Sequence, residues 1–168
     1  MKGFSYSVVE TILAKEEKIN IVVNNAGIAA HGPTVDISIE DVQAAFEMNT
    51  ISVICICKAV LPHMASRKQG LLITIGSIAG NVPTPWSGIY SATKAATHSI
   101  TQTLQMECRP FNIDVMLVMP GGVKSNFMDN YLTWFCLPED SLYSRYLPNI
   151  LARILLSQTE AMPTDNFT

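Results

Sequence analysis

An α/β chain built on an open parallel sheet is the fold class this sequence predicts, and three observations predict it. Three short apolar runs, 19–23, 70–76 and 113–119, have strand length and end in Asn, Gly or Pro. Helix-forming stretches alternate with them, which is the pattern of strands returning in one direction through helical crossovers. The first run is apolar apart from Asn20 and suits a fully buried parallel strand.

Each element has its own local signal. A helical stretch over 5–18 feeds the first strand, which closes on Asn24-Asn25-Ala26-Gly27. Ser38-Ile39-Glu40-Asp41 resembles a capping box and opens a long helix through about Ser66. The second strand ends at Ser77, after which Pro83, Pro85 and Gly88 punctuate a loop and a helix runs from Ile89 to Glu107. The third strand leads into Pro120-Gly121. Right-handed crossovers stepping one way place the helices at 5–18, 38–66 and 89–107 on one face of the sheet. The other face is left bare, apart from what a helix over 146–157 covers. Residues 1–168 read as one domain.

The chemistry concentrates at Ser77, Tyr90 and Lys94. Tyr90 and Lys94, four apart on a helix, project from one face. An ammonium beside a phenol favours phenolate and is expected to pull the tyrosine pKa down from about 10. Ser77 sits at the carboxyl end of a strand, where open α/β sheets place ligands. A hydroxyl there can hold a carbonyl oxygen while the tyrosine moves a proton.

Ser77, Tyr90 and Lys94, with Asn24-Asn25-Ala26-Gly27 and Pro120-Gly121, resemble the short-chain dehydrogenase/reductases in residue type, order and spacing. The resemblance spans roughly Val8 to Phe167. It implies a partial Rossmann-like doubly wound parallel sheet and a nicotinamide cofactor, NADP. It makes Tyr90 the general acid of ketone reduction and gives Ser77 the substrate carbonyl. Lys94 would tune Tyr90 and hold the nicotinamide ribose, and Asn49 would position a relay water beside it. Asn25, Ala26, Gly27, Tyr90, Lys94, Pro120, Gly121, Val123 and Ser125 would contact the cofactor, with Ser125 standing where relatives carry threonine. Asn49 can equally be a local backbone-bonding residue.

A narrower resemblance lies in Leu104 to Val115, Gly122 to Asn126 and the tail from Leu142 to Thr164. These are similar to the NADPH-dependent 1-acyldihydroxyacetone-phosphate reductases of plants and fungi. The implied substrate is a lipid-like ketone carrying a phosphate. Residues 127–148, with Phe127, Tyr131, Trp134, Phe135, Tyr143 and Tyr146, stand where the family builds a substrate lid; they can equally complete the core. The family also implies a homodimer through its two long helices, with which Ala59, Ala65, Ala92, Ala95 and Ala96 are compatible, though small residues serve equally well for packing on a sheet.

Upstream of Asn24 the sequence has no glycine-rich turn of the kind that receives a dinucleotide pyrophosphate. The chain therefore reads as a truncated piece of a larger reductase, with unpaired apolar strand edges. The alternative to a carbonyl reductase is a catalytically silent form that at most pairs with a full-length partner.

Composition excludes other classes. A net charge of -3 with 11 dispersed basic residues makes no case for nucleic acid. Cys55, Cys57, Cys108 and Cys136 show no metal spacing and read as buried reduced thiols. His31, His63 and His98 read as packing or surface residues. The longest apolar stretch, 51–64, is broken by Lys58 and Pro62 and falls short of a membrane span, which needs about 18 residues. A cytoplasmic location follows, with association to endoplasmic reticulum or lipid droplets implied for a full-length relative.

Overall fold

The computed structural model describes residues 2–133, 135–159 and 161–166. Its centre is a parallel sheet of β1 (Ile21–Asn24), β2 (Gly70–Ile75) and β3 (Ile113–Val118) in the order β1-β2-β3. The register pairs Val22 with Leu72 and Leu72 with Val115, so these side chains share one face. Over that face lie α1 (Lys2–Glu16), α3 (Ser52–Arg67) and α4 (Gly88–Glu107), as the crossover rule requires. Leu72, Ile113, Val53, Val60, Met64 and Val9 form the core between them. Ala59 and Ala65 pack against this core, while Ala92 and Ala95 lie exposed on α4.

The alternation of a strand sends the next residues to the uncovered side. Ile21 is 58% and Val23 54% exposed, and Met116 is exposed on the opposite edge strand. Helix α6 (Leu147–Thr159) does not cover that side. Its buried Ile150 and Ile154 join Met128 of α5 (Phe127–Leu132) and the aromatics around it in a second cluster. Four residues apart on one helical stripe, the two isoleucines find a better apolar partner there than a half-polar sheet face offers.

The long helix that Ser38 opens is capped as expected. Ser38 Oγ accepts from Asp41 N at 3.0 Å and donates to the Asp41 carboxylate at 2.8 Å. It is not regular throughout, because a π-turn at Glu47–Ile51 separates α2 (Ile39–Phe46) from α3. Such turns insert one residue and re-aim the side chains around it. The 29 residues from Ile39 to Arg67 are long and apolar enough for a membrane span. Packing accounts for part of that apolarity, since Ala45, Val53, Cys57, Val60 and Met64 are buried and 39% of the most apolar stretch lies inside the fold.

The edge position of β1 has a consequence for handling. Its unpaired backbone and its exposed Ile21 and Val23 template association with another chain. Replacing Val23 with Lys should raise the soluble, monodisperse fraction of this chain in size-exclusion chromatography, and an unchanged aggregate peak would show that the edge is harmless.

Candidate active site

At the carboxyl ends of β1 and β2 the structure gathers Gly27, Asn49, Ser77, Tyr90 and Lys94. Ser77 follows β2 directly and its Oγ accepts from Ala79 N at 3.2 Å, capping the 3₁₀ turn Ile78–Gly80. Tyr90 and Lys94 rise from the first turns of α4, with the Lys94 ammonium 5.8 Å from the Tyr90 ring centre. That ammonium is buried and donates to Ile75 O at 2.9 Å, the last carbonyl of β2. Three elements, a strand end, a helix and the loop after β1, thus fix one concave corner.

Asn49 is held by the π-turn rather than by a regular helix. Its Nδ2 donates to Ile28 O at 2.9 Å and to Thr93 Oγ1 at 3.0 Å, and its Oδ1 accepts from Ile28 N at 2.8 Å. The side chain is therefore spent on the loop after β1. It locks Gly27 in place, where an added Cβ would meet Asn49 Oδ1 at 3.1 Å and Lys94 Nζ at 3.7 Å. Asn25 and Ala26 are exposed at the same strand end. Buried Thr50, Thr93 and Thr97 stitch the π-turn to α4, with Thr50 Oγ1 donating to Thr93 O at 3.0 Å and Thr97 Oγ1 to Asn49 O at 2.8 Å.

The electrostatics differ from the sequence expectation. Burial pushes the Tyr90 phenol above its ordinary value, and a hydrogen bond with Ser77 pulls it back in part. Burial also lowers the Lys94 pKa. The net shift runs opposite to the expected downward pull of Lys94, because desolvation of the phenol outweighs what favours the phenolate. Desolvation penalises the charged form of each.

The sequence marks His98 as a packing or surface residue, and the structure gives it more. Tyr90, Lys94 and His98 form one stripe at intervals of four along α4. The buried His98 Nε2 accepts from Ser77 N at 3.2 Å, and its Nδ1 faces Asn81 Oδ1 at 3.1 Å. An acceptor at Nε2 and a donor at Nδ1 specify the neutral ring. Burial, then the Lys94 charge, keep its pKa low. A Cβ at Gly76 would stand 2.3 Å from Nε2 and one at Gly80 2.5 Å from Cε1, so both glycines make room for this ring.

Pro120 lies beside the Ser77 loop, its carbonyl accepting from Ile78 N at 3.0 Å. Gly121 faces open space apart from Ile78 Cδ1 at 3.8 Å. Val123 bridges to Met162 in parallel fashion, and the exposed Ser125 takes a 3.2 Å contact from its N–H to Gln158 Oε1. These four lie on the loop leaving β3.

Aromatics roof the corner. The Tyr90 ring lies 5.1 Å from His31 and 6.1 Å from Phe127. Tyr131 Oη donates to His31 O and stacks near Phe135 at 5.9 Å, while Trp86 meets Tyr143 edge-on at 5.4 Å. Trp134 falls outside the described residues. A cavity of about 150 Å³ adjoins, lined by Ile28, Ala30, His31, Asp36, Tyr131 and Phe135. Cys55, Cys57 and Cys108 are buried as expected, but Cys136 is exposed on this roof segment. Among the described residues no group of three His, Cys, Asp or Glu side chains could hold a metal ion.

The family model for short chain dehydrogenases matches residues 5–134. This chain belongs to the short-chain dehydrogenase family. It is 37% identical over 122 residues to a 3-ketodihydrosphingosine reductase of Bacteroides thetaiotaomicron, covering 73% of this chain and 45% of the relative. It is 33% identical over 136 residues to an NADPH-dependent 1-acyldihydroxyacetone phosphate reductase of Schizosaccharomyces pombe, covering 79% and 46%. A metagenomic short-chain oxidoreductase solved in complex with NADP superposes with a TM-score of 0.70 at 26% identity, over 74% of this chain and 57% of that one. The chain thus spans about half the length of the curated relatives it matches. Family membership makes it a member of an oxidoreductase family acting on small molecules, with a Rossmann-like parallel sheet.

Proposed function

We propose that this short-chain dehydrogenase chain carries the proton-delivering half of a carbonyl reductase that converts a ketone to a secondary alcohol with NADP(H). The observation behind this reading is the convergence of Ser77, Tyr90 and Lys94 at one strand end, with Gly27 pressed against Lys94 and Asn49. The residues fit the nicotinamide end of the cofactor: Gly27 leaves space that a Cβ would fill, and Gly121 is open. Lys94 and Tyr90 would hold its ribose, while Asn25, Ala26, Pro120, Val123 and Ser125 would border it. When bound, the nicotinamide supplies hydride to the ketone carbon.

The protein's own residues supply the rest. Ser77 donates to the ketone oxygen and fixes its lone pairs toward Tyr90. The Tyr90 phenol, kept protonated by burial, gives its proton to that oxygen as the carbonyl bond becomes a C–O single bond. The resulting phenolate is stabilised by Lys94. Phe127, Tyr131 and Phe135 act as an apolar lid that excludes water and suits an acyl chain. Relatives named for a long-chain keto base and for an acyl ketone phosphate support a lipid ketone, with 1-acyldihydroxyacetone phosphate as the proposed substrate.

The test is oxidation of NADPH and of NADH, followed by absorbance, with 1-acyldihydroxyacetone phosphate and with a 3-keto long-chain base. NADPH-dependent turnover of the first supports the full reading. Absence of cofactor binding and of turnover would leave the silent pairing partner as the better account of this chain.

A second test addresses His98, which acts through Ser77. His98→Leu should lower kcat about tenfold by releasing the Ser77 amide, with ketone KM nearly unchanged. His98→Gln, whose amide oxygen reaches the Nε2 position, should restore most of kcat. Equal kcat in the Leu and Gln variants would reduce His98 to packing.

A further inference from the structure

Arg153 is the charged group that the proposed chemistry leaves unused. It stands on α6 next to the buried Ile154 and one turn on from the buried Ile150, whose cluster contains Trp86, Phe127 and Tyr131. The Phe127 ring lies tilted against Tyr90 at 6.1 Å, so this cluster borders the corner that holds the phenol. The half-buried guanidinium donates from Nη2 to Thr84 Oγ1 at 2.9 Å, and Thr84 lies on the loop between Ser77 and Tyr90. Its charge reaches the His31 ring, where burial first and Arg153 second hold the pKa down at about 4. His31 is then neutral at physiological pH and adds no second cation.

A guanidinium has five N–H donors and is always charged. Among the described residues no carboxylate lies within ion-pair distance of Arg153, the single such pair being Lys15 with Glu16 on the outer surface. One neutral hydroxyl is a poor return for the partial desolvation of a cation beside an aromatic cluster. The free edge of the fork matches a planar or tetrahedral oxyanion through two parallel hydrogen bonds.

We infer that Arg153 binds an anionic group of the ketone substrate, a phosphate or a carboxylate, at the mouth between α6 and the Thr84 loop. The inference rests on the reductase reading and narrows its substrate to anionic ketones. A ketone bearing an ammonium group would meet repulsion at the same place.

The experiment compares kcat/KM on matched ketones with NADPH: dihydroxyacetone phosphate against dihydroxyacetone, and a keto acid against its methyl ester. Wild-type protein should prefer the anionic member of a pair, and the two pairs separate phosphate from carboxylate recognition. Arg153→Gln should reduce the anionic-to-neutral ratio about 10- to 100-fold, the size of a lost charge-assisted pair. Arg153→Lys should retain part of it. Thr84→Val, which frees the guanidinium from its tether, should shift the ratio in the same direction by a few-fold, and it stands in if Arg153→Gln does not fold.

A readout independent of turnover is calorimetric titration with inorganic phosphate and phenylphosphonate, whose binding Arg153→Gln should abolish. An unchanged ratio and unchanged phosphate binding in Arg153→Gln would overturn the anion site while ketone reduction persisted. Reduction of no ketone at all, with phosphate binding still lost in the variant, would overturn the reductase reading and keep the anion site.

Discussion

Replacing Tyr90 with Phe should cut ketone reduction about 10²- to 10⁴-fold, the usual weight of one general acid, while ketone affinity stays within a few-fold and cofactor affinity drops only by the loss of one ribose hydrogen bond, with Lys94 retained. The ring would keep its packing on His31 and Phe127, because those contacts involve its carbon skeleton alone. Only the Oη and its hydrogen bond with Ser77 are lost. The direction of the Tyr90 pKa shift adds a pH signature. A phenol held above its ordinary value is an intact acid across the neutral range, so reduction should show no falling limb from Tyr90 near pH 7. Alcohol oxidation needs the phenolate and should rise with pH. Steady-state rates in both directions from pH 6 to 10 check this, and a Phe variant retaining more than a fifth of wild-type kcat would remove Tyr90 as the proton source.

The legible parts of this site are the ones encoded by short spacing. Tyr90 and Lys94 are tied by one helical turn, and Ser77 by its place at a strand end, so sequence alone places them on a common corner. His98 continues the same stripe, but its role depends on reaching the Ser77 amide across 21 residues of chain, which no local spacing announces. The two glycines flanking Ser77, at 76 and 80, were the available signal. The π-turn was not readable, because a one-residue slip in the hydrogen-bond ladder leaves the apolar pattern on either side intact. It matters, since it turns Asn49 toward Ile28 and makes its side chain a brace for Gly27.

The fold divides in the same way. Strands, helices and the shared face of α1, α3 and α4 follow from periodicity and handedness, which are local or generic. The destination of α6 is a choice between two apolar surfaces, and only three-dimensional packing decides it. The same holds for the charge balance between Tyr90 and Lys94. Proximity was visible from spacing, but the depth of burial that reverses the phenol's expected shift was not.

Lys94→Met should abolish most reduction, by about 100-fold or more, and yet leave the fold at least as stable as wild type near neutral pH. Lys94 is only 5% exposed, and among the described residues its ammonium has one hydrogen-bond acceptor, Ile75 O at 2.9 Å. A buried cation with so few partners costs more in desolvation than it regains, and methionine fills a similar volume without charge. The variant does leave the Ile75 carbonyl short of one donor, so the net gain should be small, on the order of 1 kcal/mol. Linkage gives an independent signature. The folded-state pKa of Lys94 lies below its unfolded value, so between the two the unfolded chain binds more protons. Stability from this group is full above the unfolded pKa and is lost as pH falls through the folded one. Wild-type protein should therefore gain stability as pH rises from 7 toward 10, and Lys94→Met should flatten that slope. Urea unfolding at pH 7 and 9.5 measures both quantities. A variant several kcal/mol less stable with the same pH slope would mean that Lys94 holds the strand end together, and that its burial serves structure rather than the proton chemistry at Tyr90.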